Sequence, residues 1–223
     1  MSSELNHNNE RLRENALSAG AVMLGVAAAD KIPLELPASA AGMPLVVAVA
    51  CRLSDEVVDS LTDGPTPLYK HHYRQTNYLL DSIALRLQAL IIMEGYRALA
   101  FPASQIINWT PPMAGEISHR HVAWAAGLGW FGRNNLLVNR VHGCRIRLVT
   151  IATNFPLTPD EPVDDNCGSC RLCLKACPAG AIETKTADFK IDACYNQLET
   201  FRRQRGIGVH ICGLCIKACP PGR

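Results

Sequence analysis

Cys167-Gly168-Ser169-Cys170-Arg171-Leu172-Cys173-Leu174-Lys175-Ala176-Cys177-Pro178 is the stretch on which the reading of this chain turns. Its cysteines are spaced x2, x2 and x3, and proline follows the last. A single Cys194 comes next, and Cys212-x2-Cys215-x3-Cys219-Pro220 closes the series. Eight of the ten cysteines therefore fall into one pattern. Thiolates at this spacing hold four-iron clusters, four to each, so eight account for two. Zinc sites also use Cys-x2-Cys, but they need only four ligands and no crossing Cys-Pro. A disulfide framework belongs to small secreted chains.

In two-cluster arrangements of this kind the fourth cysteine of a run crosses to the other cluster. Applied here, Cys167, Cys170, Cys173 and Cys219 hold one 4Fe–4S cluster, and Cys177, Cys194, Cys212 and Cys215 hold the second. Cys194 stands in for the leading cysteine that the second run lacks. Proline fixes φ and removes a donor, so each Cys-Pro ends the turn that carries a crossing ligand. Metal coordination supplies folding free energy to such small modules, and a loop-rich cluster domain is expected over residues 167–223.

The chain has 223 residues, 48% of them apolar, and a formal charge of +2. That suffices for one or two domains and implies no strongly charged partner. From Cys167 to Arg223 there are nine Lys or Arg against four Asp or Glu, a local +5. Two oxidised clusters with their thiolates carry about −2 each, so the basic excess offsets the clusters and does not recruit nucleic acid. MSSELNHNNERLRE at the start has the pattern of neither a signal nor a transit peptide. No run approaches the 18 apolar residues of a membrane span. A reducing, cytoplasmic setting is the expectation.

Upstream of the cysteines, residues 10–19 read as a helix stopped by Gly20, and Ala21–Ala27 as a strand. Lys31–Pro44 holds three prolines and reads as loop. Leu45–Cys51 (LVVAVAC) is a buried strand by its length and β-branched content. Ser54-Asp55-Glu56 opens a short helix with a cap residue and acids in its first turn. Between Tyr69 and Glu94, Leu80, Ile83, Ala84, Leu87, Leu90 and Ile91 keep the spacing of one buried helix face. Arg97–Phe101 reads as a strand, Pro111-Pro112 as a break and Gly115–Ala126 as a second helix. Leu136–Val138 and Arg145–Thr153 read as strands joined through Arg140-Val141-His142-Gly143. The order predicts an α+β domain with a mixed or antiparallel sheet, not a regular βαβ repeat. Pro156–Asp165 (PLTPDEPVDD) has three prolines and four acids and is the best boundary. The expected organisation is a cofactor domain at 1–155, a linker at 156–166 and the cluster domain at 167–223.

Gly127-Leu128-Gly129-Trp130-Phe131-Gly132 matches G-x-G-x-x-G. A dinucleotide turn needs a strand before it, a helix after it and an acid about twenty residues on. Here a helix precedes, a strand follows, and Ala152 stands at the acid's position. The glycines are instead expected to allow close backbone approach.

Ala126–Leu137 (AGLGWFGRNNLL) resembles the AGLGW-x-G-K/R segment of epoxyqueuosine reductases. Both cysteine runs and Cys194 resemble that family in the same order, and Leu24-Gly25-Val26-Ala27 is a weaker match. The resemblance implies a nitroreductase-like α+β fold holding cobalamin, fed by two 4Fe–4S clusters of a bacterial ferredoxin-like domain, as in the related reductive dehalogenases. It also places Gly129, Arg133, Asn134 and Asn135 near the corrinoid. Two departures stand out. Where the family carries an acidic donor in D-S-A-P-V-L-E, this chain reads Met113-Ala114-Gly115-Glu116-Ile117-Ser118. It also lacks a counterpart of the helical-repeat extension used on transfer RNA. The expectation is a short, divergent relative for which transfer RNA is an unlikely substrate. A reduced ferredoxin or flavodoxin would be the electron donor, and a small molecule or a corrinoid the thing reduced.

A reductive step needs a proton donor, for which the candidates are Glu116, His119 and His121. Alternatives from other classes are an electron carrier with a docking domain and no turnover, and a flavin-containing reductase. His71, His72, Tyr69, Tyr73 and Tyr78 open the long helix as packing residues or a pocket wall. Cys51 reads as a small buried hydrophobe. Cys144, after Gly143 in a hairpin, is open to exposure, with a packing role favoured over a direct cobalt or substrate ligand. Trp109, Trp124 and Trp130 are expected to pack.

Overall fold

The computed structural model describes residues 2–110 and 113–220. LVVAVAC forms the centre. Strand β2 (Leu45–Arg52) pairs antiparallel with β1 (Met23–Ala28) on one side and β6 (Ile146–Thr153) on the other, and β3 (Ala98–Phe101) adds antiparallel to β6. The sheet order is β1-β2-β6-β3.

Period-2 alternation divides the two faces. Val47, Val49 and Cys51, with Val149 and Ile151, meet helices α1 (Ser2–Ser18) and α3 (Pro67–Met93). Val46, Ala48 and Ala50, with Ile146, Leu148 and Ala152, meet α4 (His119–Ala125). An antiparallel sheet with helices on both faces is the result, as expected of an α+β chain. Along α3 the side chains Leu80, Ile83, Leu87 and Ile91 are buried at the expected spacing, each worth about 1.5–3 kcal/mol in transfer from water. Thr66 caps the helix, accepting from the Tyr69 amide, and Pro67 takes the first helical position, where its missing N–H costs nothing. A side chain at Gly25 would collide with the Ala126 carbonyl, so glycine there lets β1 lie close against the end of α4.

Helix α1 starts at Ser2, well before residue 10. Its apolar stripe is thin, Leu12 and Ala16 being the fully buried members. Long-range bonds supplement it: Asn8 donates to the Pro156 carbonyl at 3.0 Å and Asn9 to the Thr158 carbonyl at 2.7 Å. Further along, Arg13 pairs with Asp160 at 2.8 Å, and the Val26 amide donates to the same carboxylate at 2.9 Å. The proline- and acid-rich stretch is therefore strapped along α1 and β1, with Phe155 and Leu157 buried.

Three further elements differ from expectation. Helix α4 begins at His119, and residues 113–118 ahead of it are irregular. The segment around Leu136 does not pair with β6. Its strand β5 (Leu137–Val138) forms a two-stranded ribbon with β4 (Trp130–Phe131), and Asn139 and Gly143 meet only in an isolated bridge. Trp109 is 70% exposed and does not pack. The Pro111-Pro112 break lies outside the described residues.

The cysteine segment carries α5 (Leu172–Ala176), α6 (Ile191–Gln204) and α7 (Leu214–Lys217). It shares an apolar cluster with the rest of the chain: Ile207, Ile211 and Leu214 pack with Leu53, Val58, Leu61 and Tyr69. No described helix is long and apolar enough to cross a membrane.

Candidate functional site

No disulfide joins any two cysteines among the described residues. Cys177, Cys194, Cys212 and Cys215 line one cavity of about 300 Å³. The first lies just past α5, the second in the first turn of α6, and the last two around the start of α7. Burial pushes Cys212 up to about 11, and Cys194 and Cys177 add to the rise. Cys215 is pushed up further, by burial and then by the same neighbours. Cys173, raised to about 11 by burial, is raised in addition by Cys167, Cys219 and Cys170. Cys177, Cys194, Cys212 and Cys215 thus share a cavity, while Cys173 is influenced by Cys167, Cys170 and Cys219, and Cys215 is influenced by Cys173 as well.

Among the described residues no three His, Cys, Asp or Glu side chains converge tightly enough for a single metal ion. A tetrahedral ion draws its sulfur ligands to about 2.3 Å. A four-iron cluster gives each thiolate its own iron and holds the sulfurs farther apart. Four cysteines spread around one cavity of about 300 Å³ would suit the larger group better than a single ion.

A second cavity, of about 690 Å³, opens in front of β6. Phe101 at the end of β3 and the irregular segments 102–105 and 113–118 form one wall, and Cys144, Ile146, Arg147 and Leu148 form the floor. Arg120, Leu136, Arg147, Ile191, His210 and Ile216 line both cavities, so the two adjoin. Arg147 lies over the Tyr73 ring, 4.4 Å from its centroid, and donates to Asn77 Oδ1 at 3.0 Å and to the Tyr73 hydroxyl at 3.2 Å. Arg120 donates to the Asn135 carbonyl. Neither arginine meets a carboxylate among the described residues, so the wall is cationic.

The three proton-donor candidates are split. Glu116 and His119 line the large cavity, whereas His121 faces a separate groove with Trp124, Trp130 and Phe131. Glu116 accepts from the Ser39 hydroxyl at 3.0 Å. His119 Nε2 lies 3.0 Å from the Pro102 carbonyl, which can only accept, so that nitrogen carries the proton. Nδ1 then accepts from the Thr150 hydroxyl at 2.8 Å. Burial lowers its pKa to about 4, so the ring is neutral at pH 7 with both nitrogens engaged. His119 ties α4 to β3 and β6.

The glycine turn serves the chain itself. A side chain at Gly129, where φ is +157°, would collide with the Val138 carbonyl, so glycine admits β5. Arg133 donates to the Gly168 carbonyl at 2.8 Å and links the turn to the first cysteine run. Asn134 and Asn135 line the cysteine cavity, and Asn135 adopts φ 57°, which asparagine tolerates. None of these four lines the large cavity.

One further site residue was left open in the sequence reading, and one escaped it. Cys144 is buried, not exposed, because the turn at Gly143 is pressed against Cys219. Arg147 is a lone cation among apolar strand residues, and its partners on α3 lie seventy residues and more upstream. Of the residues opening α3, Tyr69 and Tyr73 wall the cysteine cavity, while Tyr78 is exposed. His72 Nε2 accepts from the Ser54 amide at 2.9 Å.

No family model matches the chain. It is similar to epoxyqueuosine reductases, as a divergent partial match. It is 47% identical to that of Listeria monocytogenes over 68 residues, 30% of this chain and 18% of the relative. To that of Yersinia pestis it is 33% identical over 118 residues, 48% of this chain and 28% of the relative. The matches thus span less than a third of these relatives' lengths. Among solved structures, epoxyqueuosine reductase from Bacillus subtilis superposes with a TM-score of 0.67 at 22% identity, covering 98% of this chain and 66% of that one. A reductive dehalogenase, described as suggesting a mechanism for B12-dependent dehalogenation, superposes with a TM-score of 0.75 at 21% identity, covering 97% of this chain and 32% of that one. The fold is that of these two groups of proteins.

Proposed function

We propose that this chain is a reductase whose two cysteine foursomes hold 4Fe–4S clusters next to a pocket for a redox cofactor or substrate. One observation carries the reading: the cavity lined by Cys177, Cys194, Cys212 and Cys215 shares six wall residues with the larger cavity in front of β6. Bound clusters would supply one-electron chemistry at that wall. The protein's own part is positional. Tyr69, Ile211 and Ile216 exclude water from the cysteine cavity, and Arg120 and Arg147 bring positive charge between an anionic cluster and the pocket. Glu116 is the carboxyl that reaches the pocket where the family's aspartate is missing, and it is the proton donor we favour.

The pocket group we favour is a corrinoid, on the likeness to epoxyqueuosine reductases and to a dehalogenase described as B12-dependent. A volume of about 690 Å³ lies within the usual range of small-ligand sites, about 300–1,000 Å³. A corrin is larger than most such ligands, so the wall residues 102–105 and 113–118 would move outward to admit one. Gly129, Arg133, Asn134 and Asn135 act from behind the pocket by shaping the turn. In this reading residues 1–155 are a nitroreductase-like cofactor domain, 156–166 the strap and 167–223 a ferredoxin-like cluster domain. The setting is cytoplasmic and the donor a reduced ferredoxin or flavodoxin. The substrate is a small molecule or the corrinoid itself. An epoxyqueuosine reductase has been captured with an epoxyqueuosine-modified transfer RNA stem loop; without the family's aspartate, this chain is not expected to act on one.

The test is anaerobic reconstitution with iron and sulfide, followed by titration with cob(II)alamin under visible and electron paramagnetic resonance spectroscopy. A saturable change to a base-off cob(II)alamin spectrum supports the corrinoid reading. Reducible clusters with no cobalamin response would refute it and leave a flavin reductase or an electron carrier.

A further inference from the structure

Strand β6 has a neighbour on its β3 side for only half its length. β3 pairs Ala98 with Thr153 and Phe101 with Thr150 and stops there. Among the described residues no strand lies beside 146–149 on that edge, and Ile146, Arg147 and Leu148 line the large cavity where it is missing.

Arg147 is braced on three sides. Nε donates to Asn77 Oδ1 at 3.0 Å, and Nη2 to the Tyr73 hydroxyl at 3.2 Å and toward the Ala103 carbonyl at 3.5 Å. The guanidinium also lies 4.4 Å from the centroid of the Tyr73 ring. All of these partners are neutral, and Nη1 has no acceptor among the described residues. Arg145, two residues earlier, shows the contrast: it meets both Asp55 and Asp59. Arg120 is in the same condition as Arg147. It donates to the Asn135 carbonyl, a neutral group, and its burial lowers its pKa. Against these two cations the cavity sets one carboxyl, Glu116, on the wall and bonded to Ser39. A cation taken out of water without a counter-charge is costly, and an anion in the cavity would offset that cost.

We propose that the large cavity takes its ligand by an oxyanion, a carboxylate or a phosphate, which Arg147 receives at Nη1 and Arg120 supports by charge. The inference rests on the reading of this cavity as the pocket for a substrate or cofactor, and it names the chemistry that the pocket selects. A guanidinium keeps its charge at any ordinary pH, and its planar fork matches an oxyanion. Already fixed by Asn77 and Tyr73, it loses little freedom on binding.

The experiment is isothermal titration calorimetry on the anaerobically reconstituted protein, with benzoate, phenyl phosphate and uncharged benzamide as probes. Cobalamin and cobinamide, which lacks the nucleotide phosphate, are titrated beside them. Iron content and thermal unfolding are measured for every variant. The wild type is expected to bind an oxyanion about tenfold tighter than benzamide. Arg147→Gln should remove about that factor for the oxyanion and leave benzamide within about twofold. Arg147→Lys, which keeps the charge without the fork, should fall between. If Arg147→Gln does not fold, Arg120→Gln leaves the brace on α3 in place and should weaken the oxyanion about threefold.

Loss of affinity for benzoate or phenyl phosphate assigns the oxyanion to a substrate. Loss for cobalamin and not for cobinamide assigns it to the phosphate of a corrinoid. The proposal is overturned if no oxyanion-bearing probe, cobalamin included, loses affinity in either arginine variant, or if benzamide weakens as much as benzoate. The corrinoid reading fails separately: oxyanion binding with no response to either corrinoid refutes it and leaves this inference standing. Binding of both corrinoids, with every oxyanion indifferent to the arginines, does the reverse.

Discussion

Arg145, at the entry to β6, grips Asp59 of α2 (Asp55–Asp59) with both of its terminal nitrogens, at 2.8 and 3.1 Å. It also bonds Asp55 at 2.9 Å and the Lys217 carbonyl at 3.1 Å. The arginine side chain is only 6% exposed, and the Asp59 side chain is 54% exposed. The arginine's hydrogen bond holds the Asp59 carboxyl below the usual carboxylate range. One buried cation therefore fastens α2, the sheet and the end of α7, between Cys215 and Cys219.

Removing both acids should strand that cation. Asp55→Asn with Asp59→Asn is expected to cost about 1–3 kcal/mol in urea unfolding. That is less than the 3–5 kcal/mol of a fully buried pair, because water reaches Asp59. Since Arg145 also anchors α7, the double variant should bind less iron after reconstitution. The single Asp55→Asn change should cost less than half as much, the bidentate Asp59 contact being intact. Equal stability of the double variant and wild type would show that Arg145 is not the fastener.

His119 predicts how the fold responds to acid. In the unfolded chain its imidazole takes up a proton near pH 6.5, whereas in the fold it stays neutral down to about pH 4. Between those values the unfolded state binds more protons, so stability falls as pH falls and levels off below about 4. His72, His121 and His142 are also lowered by burial and add to the same slope. His119→Gln, which keeps a donor for the Pro102 carbonyl, should remove on the order of 2 kcal/mol of this dependence. Urea unfolding at pH 4.5 and 7 checks it; an unchanged slope would mean that His119 is protonated in the fold.

How much the sequence disclosed follows the range of the forces involved. Leu45–Cys51 and the long helix were legible because burial on a strand or a helix face leaves a period in neighbouring residues. The cysteine pattern was legible because cluster ligands recur at short, fixed spacings. Helix α1 before residue 10 was not, since Asn8 and Asn9 are held by carbonyls about 150 residues away. The burial of Cys144 was not legible for the same reason: it depends on Cys219, far along the chain. The ribbon of Trp130–Phe131 with Leu137–Val138 is too short to leave a period at all. His119 looked like a donor by type, and only its two partners, Pro102 and Thr150, show it holding the fold together.

The most direct test of the central claim is the iron content of reconstituted Cys194→Ala beside the wild type. Cys194 is the one ligand that stands alone in the sequence, and in the fold it joins Cys177, Cys212 and Cys215 around one cavity. The account predicts about eight irons per wild-type chain and about four in the variant. The surviving signal should be that of the cluster held by Cys167, Cys170, Cys173 and Cys219. Eight irons retained in Cys194→Ala would contradict the ligand assignment and the reading built on it.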